Sequence, residues 1–404
     1  MKKRILFVDD EPQALEALDD LLYKYQAKWE MVFAGSGASA VDRMNEMPFD
    51  VIVTDVKMPG MDGIALLGIV RDQHPETIRI ALSGLTELEG SLRAMPVLHQ
   101  FLHKPCDPAM LEGTIERACD LRALVSSEGV RKIVGGLKQL PSLPSVYTDL
   151  QQALTDQRCG IRDIGAKDIA RIIEQDIGMC AKVLQLVNSA FFGLGRRITV
   201  IDDAVAYLGI EMINQIVLAA TVFDRRRLDP RGGISLEALR DHGLLVAGIA
   251  RRIMWGDRRL AGDAWMAGLL HDIGKLVLAA ELPAQLAEAV EQARREKRPL
   301  YEVEQDRYGV SHAEIGAYLL GTWGLPYPIV EAVANHHAPG RVKHRGLDIL
   351  TAVHAADALA HELNSSDDVG PGASLNGIWL ASAGLEDRVE EWRELAAELT
   401  EACV

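Results

Sequence analysis

The sequence predicts two domains of different class: a doubly wound α/β domain with a five-stranded parallel sheet, followed by an all-helical domain. Three observations carry this. From residue 4 to about 125, short apolar runs alternate with amphipathic stretches of helical period, the pattern of a parallel sheet covered on both faces. From Ser126 onward, period-2 alternation gives way to helix-period runs. Four of the early apolar runs also end on residues able to do chemistry, and in a doubly wound sheet the strands deliver their carboxyl ends to one crevice.

The strands are expected near 4–8, 30–34, 50–54, 77–82 and 99–103. Ile5-Leu6-Phe7-Val8 ends on Asp9-Asp10, and Phe49 to Thr54 ends on Asp55, before Val56-Lys57-Met58-Pro59-Gly60. Ile78 to Leu82 is followed by Ser83, and the run containing Phe101 by Lys104-Pro105. Leu15, Leu18, Leu22 and Tyr25 recur at helical spacing. A last helix, about 108–125, begins after Asp107-Pro108, an N-cap followed by proline at the first helical position.

Ser126-Ser-Glu-Gly, Gly135-Gly136 and Pro141-Ser-Leu-Pro144 mark a linker over 126–144, with a helical domain expected over 130–365 and a C-terminal loop and helix over 366–404. Ile169, Ile172, Ile173 and Ile177, then Cys180, Val183, Leu184 and Val187, keep helical period. Further helices are expected near 202–222, 234–254, 262–280, 283–297, 312–323, 326–337, 347–363 and 385–402.

Composition narrows the function classes. A net charge of −15 over 404 residues opposes sequence-independent binding to DNA or acidic lipid, which needs a basic face. The apolar stretch after Met1-Lys2-Lys3-Arg4 is only Ile5 to Val8, too short for a signal peptide, and no window is long enough to cross a bilayer. Five cysteines without CxxC spacing imply neither a disulfide framework nor a cysteine zinc site. The expected location is cytoplasmic, with no membrane and no direct DNA binding; a homodimer stays open.

Three carboxylates, a hydroxyl and a lysine in one crevice suit Mg²⁺ and a phosphoryl acceptor. Phosphoryl transfer is catalysed mainly by positioning and electrostatics, and Mg²⁺ takes one or two carboxylates plus waters. Asp10 and Asp55 fit that count, with Asp9 acting through water, while Ser83 and Lys104 meet phosphoryl oxygens. Taken singly, these residues could equally belong to plain strand–helix turns; the ordered set is much more specific.

Residues 1–125 closely resemble a response-regulator receiver domain, of flavodoxin-like fold. The matching residues are Val8-Asp9-Asp10-Glu11, Asp50 to Gly63, Ala81-Leu82-Ser83-Gly84 and Phe101-Leu102-His103-Lys104-Pro105. The resemblance implies that Asp55 is the phosphoacceptor, that Asp9 and Asp10 hold Mg²⁺, and that the Lys57 carbonyl joins them. It makes Ser83 the switch hydroxyl and Phe101 the switch aromatic, with a sensor histidine kinase or phosphotransfer protein as partner.

The second constellation is His242, His271-Asp272, His312, His336-His337 and Asp357, holding five of the eleven histidines. Adjacent helical residues point about 100° apart, so His271 and Asp272 could flank one metal, with Lys275 a turn on. Imidazoles with carboxylates suit Zn, Fe or Mn, and a metal there would activate water against a phosphate ester. Equally, these residues could be satisfied core histidines and an Asp272–Lys275 ion pair. Ser311-His312-Ala313-Glu314 reads as a capping box.

Residues 130 to about 365 look like an HDOD domain, a relative of HD metal-dependent phosphohydrolases. The likeness rests on Leu140 to Pro144, Asp176-Ile177, Val183 to Ala190, Ile201 to Gly209, Ala267 to Lys275, His312 to Gly316, Trp323 to Pro326 and Asn335-His336-His337. The HD pattern, carried over, makes His242, His271, Asp272 and Asp357 metal ligands. His312, His336 and His337 match further positions of the HD-GYP subgroup, which resembles cyclic di-GMP phosphodiesterases. No Glu follows His336-His337 and no Gly-Tyr-Pro segment is present, so cyclic di-GMP hydrolysis does not follow. The expected function is a response regulator whose helical domain has a regulatory or protein-interaction role toward a downstream protein; the alternative is a receiver-gated metal-dependent phosphohydrolase acting on a nucleotide or cyclic dinucleotide.

Overall fold

The structure is a computed structural model and describes residues 2–83, 97–104, 108–124, 128–137, 149–150, 152–153, 164–188, 197–219, 234–342, 346–363 and 374–402. Packing divides the chain into two compact units, the first built mainly from the residues up to 138.

In the first unit, β1 (Lys3–Val8), β2 (Trp29–Ala34), β3 (Val51–Asp55), β4 (Ile78–Ser83) and β5 (Gln100–His103) form a sheet of order β2-β1-β3-β4-β5 in which all four pairings are parallel. Helices α1 (Pro12–Leu22), α2 (Gly37–Glu46), α3 (Gly63–Gln73) and α4 (Pro108–Leu124) connect or follow the strands. Both sheet faces are covered, so the strand interiors read as near-continuous apolar runs. Phe7, Val51, Val53, Ile80 and Leu102 pack with Leu111 and Ile115 of α4 in one core.

Register explains how the strand-end residues meet. Val8 pairs with Thr54, Asp55 with Leu82, and Ser83 with His103. Asp9, Asp55, Ser83 and Lys104 therefore share one rim, beside the β1/β3 switch point where ligands of such sheets bind. The start of α3 rests directly on this rim: a Cβ on Gly63 would lie 2.0 Å from the Asp55 carbonyl oxygen.

Helix α5 (Glu128–Gly136), which the sequence assigns to the linker and the start of the helical domain, packs with the first unit instead. Buried Arg79 in β4 is the reason. Its guanidinium donates to the carbonyls of Val97 (2.6 Å) and Gly135 (2.8 Å). A Cβ on Gly135 would lie 1.6 Å from the Pro75 carbonyl, so only glycine permits that approach.

The second unit is helical throughout its described residues: α6 (Ala166–Ile173), α7 (Ile177–Val187), α8 (Ile201–Ala219), α9 (Leu236–Ile253), α10 (Arg258–Leu270), α11 (Ile273–Glu281), α12 (Pro283–Glu296), α13 (Leu300–Tyr308), α14 (His312–Thr322), α15 (Tyr327–Asn335), α16 (Ile349–Leu363), α17 (Gly377–Ser382) and α18 (Val389–Ala402). Helix α9 packs against α10, α16 and α18, and α15 against α10 and α16. None of the described helices is long and apolar enough to cross a membrane.

One element differs from expectation in a way that matters. The single helix expected over 262–280 is two helices broken at His271 and Asp272. The His271 imidazole meets the Gly268 carbonyl through Nδ1 at 2.6 Å, and Asp272 leaves helical geometry at φ −99°, ψ 11°. Just beyond the break, Gly274 runs against α14; a Cβ there would lie 1.9 Å from the His312 carbonyl oxygen. His271 and Asp272 thus occupy a corner rather than successive positions of one helix. Because the obstructing atoms are backbone, Gly274→Ala is expected to cost the second unit about 1–3 kcal/mol; urea unfolding monitored by circular dichroism checks it, and an unchanged midpoint would refute the close packing.

Candidate phosphoacceptor and metal sites

Asp9 is buried, and its Oδ2 is 2.8 Å from the Lys104 ammonium, which is also 3.1 Å from Asp55 Oδ2. Asp9 Oδ1 accepts the Glu11 N–H, and Asp55 Oδ1 accepts the Val56 N–H. Ligand oxygens of Asp9, Asp10 and Asp55 lie within 4.8 Å of one another, a spacing at which all three can face one cation. Burial pushes the Asp55 carboxyl above its ordinary range, against the pull of Lys104; for Lys104, burial is outweighed by Asp9 and Asp55, which raise it. Lys57 lies in the turn after β3. Ser83 and Phe101 stand in β4 and β5, and their side chains are outside the described residues.

In the second unit all seven residues singled out from the sequence converge. His242 comes from α9, His271 and Asp272 from the corner, His312 from the first turn of α14, His336 and His337 from the end of α15, and Asp357 from α16. The capping box is formed: the Ser311 N–H donates to Glu314 Oε2 at 3.0 Å.

Asp272 joins the two halves of the cluster. Its Oδ1 is 3.1 Å from His312 Nε2 and 4.0 Å from His336 Nε2; its Oδ2 is 3.4 Å from His271 Nε2 and 2.6 Å from Lys275 Nζ. Asp357 does the same from the other side. Its Oδ1 lies 3.1 Å from His242 Nε2 and 3.6 Å from His271 Nε2, and its Oδ2 lies 3.6 Å from His337 Nδ1.

The outer nitrogens show what orients the rings. Nδ1 of His271 meets the Gly268 carbonyl, Nδ1 of His336 the Val333 carbonyl (2.8 Å), and Nδ1 of His312 the Glu304 carboxylate (2.6 Å). An acceptor at Nδ1 fixes the ring orientation and turns Nε2 inward, the arrangement of metal-ligating histidines. Among the described residues, the buried side-chain atoms without hydrogen-bond partners include His271 Nε2, Asp272 Oδ1, His336 Nε2, His337 Nδ1 and Asp357 Oδ2. These five lie together in the cluster, and a divalent metal ion fits them.

Electrostatics agree with this reading. Burial pulls His271 down, but Asp272 and Asp357 override it and hold the imidazole up at about 10. Asp272 and Asp357 stay well below the usual carboxylate range: burial opposes this, but Lys275 and His271 hold down the first, and His361, His242 and His271 the second. Burial, then His271, brings His336 down to about 3. The cavity therefore favours positive charge at His271, and at His312 where burial is outweighed by Glu304, while burial keeps His336 and His337 neutral.

Sequence reasoning missed Glu304, His354 and His361. Glu304 is fully buried on α13, a helix not expected from its charged sequence, and it accepts both the backbone N–H of His312 and its Nδ1 contact. His354 meets the His336 carbonyl through Nδ1 at 2.7 Å. His361 follows Asp357 by four residues, a spacing that could have found it.

The raised Asp55 pKa yields a signed expectation. A carboxyl that titrates higher when folded contributes stability below its unfolded pKa, and that contribution is lost as pH rises through the folded pKa. At pH 7 in chelator, Asp55→Asn is expected to raise the melting temperature of the first unit's transition, with the gain vanishing as pH falls below the carboxylate range. Equal melting temperatures at both pH values would contradict it.

Comparison with known proteins follows this geometry. A family model described as response regulator receiver domain matches residues 5–116, and one described as HDOD domain matches residues 140–339. An uncharacterized protein of Treponema pallidum (strain Nichols) is 30% identical over 207 residues, 51% of this chain and 39% of that protein. The response regulator protein PilR of Pseudomonas aeruginosa is 23% identical over 421 residues, 97% of this chain and 90% of that protein. The chain spans 39%, 25% and 39% of the lengths of the first three curated relatives. Among solved structures, the MmoQ response regulator from Methylococcus capsulatus is similar with a TM-score of 0.49 and 21% identity, over 64% of this chain and 98% of that one. By its two matched regions, the chain belongs to the response regulators in which an N-terminal receiver domain is followed by an HDOD domain.

Proposed function

We propose that this chain is a cytoplasmic two-component response regulator, phosphorylated on Asp55 by a sensor histidine kinase or phosphotransfer protein, and that its HDOD domain is a metal-dependent phosphohydrolase controlled by the receiver. The receiver spans about residues 1–138 in this reading, including α5, and the helical output domain the remainder.

In the receiver, Asp55 Oδ2 is the nucleophilic oxygen. Asp9, Asp10, Asp55 and the Lys57 carbonyl would hold Mg²⁺, which supplies charge neutralisation during phosphoryl transfer. Lys104, already between Asp9 and Asp55, offsets charge on the transferred group. Ser83 and Lys104 would meet the phosphoryl group in one conformation only, which gives phosphorylation its differential effect.

For the helical domain, one observation carries the proposal: five buried, unpartnered ligand atoms face one another while Nδ1 contacts lock the rings around them. His242, His271, Asp272 and Asp357 would hold one Fe, Mn or Zn ion; Asp272, His312, His336 and His337 would hold a second. Such ions supply Lewis acidity and a nucleophile at neutral pH. Lys275, held at 2.6 Å by Asp272, adds positive charge toward a phosphate ester. The missing Gly-Tyr-Pro segment directs the substrate search to nucleotides in general rather than to cyclic di-GMP alone.

A regulatory, non-catalytic output toward a downstream protein is the second reading. It is favoured by the internal Asp272–Lys275 pair and the His242–Asp357 contact of 3.1 Å, which partly satisfy the cluster on their own.

Two measurements test these readings. Asp55→Asn is expected to abolish labelling by a small phosphodonor such as acetyl phosphate; labelling at the wild-type level would disprove the acceptor assignment. Elemental analysis of untagged protein is expected to find stoichiometric Fe, Mn or Zn that is lost in His271→Ala/Asp272→Ala. In a nucleotide screen that pair should lower hydrolysis by more than about 100-fold, since even outer-shell partners typically cost 10–100-fold. Protein free of transition metal would favour the second reading.

A further inference from the structure

We infer that His361 is an additional metal ligand on the His242 side of the cluster, an inference that rests on the metal-binding reading above. Asp357 and His361 are four residues apart on α16 and so present to the same side of the helix. His361 Nε2 is 3.4 Å from Asp357 Oδ1, the oxygen that also faces His242 Nε2 at 3.1 Å and His271 Nε2 at 3.6 Å. The rings of His242 and His361 have centroids 4.6 Å apart, and one ligand atom from each of His242, Asp357 and His361 lies within 4.8 Å of the others.

Three imidazole nitrogens around a single carboxylate oxygen is a poor set of hydrogen bonds. Nitrogens and oxygens 3–4 Å apart are, however, the spacing of neighbouring ligands on one ion with bonds of about 2.0–2.2 Å. His361 also differs from its neighbours in exposure: its side chain is 20% exposed, against 9% for His242 and 1% for Asp357. It is the member of the set nearest solvent, and its imidazole would close the His242 side while the His312 side keeps its own ligands.

The test separates a ligand from a residue that only hydrogen-bonds to Asp357. Full-length metal-free protein is titrated with Co²⁺ against a chromophoric chelator, and the visible Co²⁺ absorption is recorded. Wild type, His361→Ala and His361→Gln are compared, with circular dichroism melts of the metal-free forms confirming that each is folded. Glutamine keeps an N–H donor but not an imidazole lone pair. Both variants are expected to bind Co²⁺ at least about tenfold more weakly at one site, as loss of a metal-site partner does, with an altered absorption band. Wild-type affinity and spectrum in either variant would overturn the inference alone. Absence of Co²⁺ uptake by the wild type would overturn the metal-binding reading as well.

Discussion

Burial of negative charge at the helix corner is the constraint on which the second unit depends. Asp272 and Asp357 are each 1% exposed, and an uncompensated buried carboxylate costs several kcal/mol. Imidazoles from α9, the α10–α11 corner, α14, α15 and α16 surround them, so the elements that form the core also supply the compensation. Lys275 satisfies one oxygen of Asp272, but Asp272 Oδ1 and Asp357 Oδ2 remain without hydrogen-bond partners. A core that concentrates carboxylates and imidazoles in this way is arranged around positive charge that the protein only partly provides.

The same logic runs through the receiver on a smaller scale. Asp9, Asp10 and Asp55 meet at the rim because parallel register sets β1 and β3 side by side, and Lys104 from the end of β5 offsets part of their repulsion. In both units an incomplete balance of charge marks the place for chemistry: a cation and a phosphoryl group in one, metal ions in the other. The supporting contacts are different in kind. Backbone approach at Gly63 sets the receiver rim, whereas carbonyls and Glu304 orient the imidazoles.

Much of this was legible in the chain, for a physical reason. Buried parallel strands must be continuous apolar runs, and their carboxyl ends must share a crevice, so Asp9, Asp55, Ser83 and Lys104 could be grouped before any coordinates. The ligand types of the helical half were equally visible, but not their convergence, which depends on long-range packing. The corner at His271-Asp272 was hidden inside an unbroken apolar run, and the close passage of α14 over Gly274 just beyond it is a long-range contact with no local signal. Glu304 was missed because Leu300–Tyr308 has the composition of a solvated segment, and His361 because a single histidine near a helix end has no pattern of its own. The place of α5 was missed because its anchor, Arg79, is a buried arginine in a strand, against the usual preference for exposure.

The most direct test of the central claim is anomalous X-ray scattering from crystals of the full chain purified without chelator. The account predicts two peaks within the cluster, about 3.5–4 Å apart as in two-metal sites, one bounded by His242, His271 and Asp357 and the other by His312, His336 and His337, with Asp272 between them. Ordered water in place of both peaks, with no anomalous signal at any transition-metal edge, would contradict it.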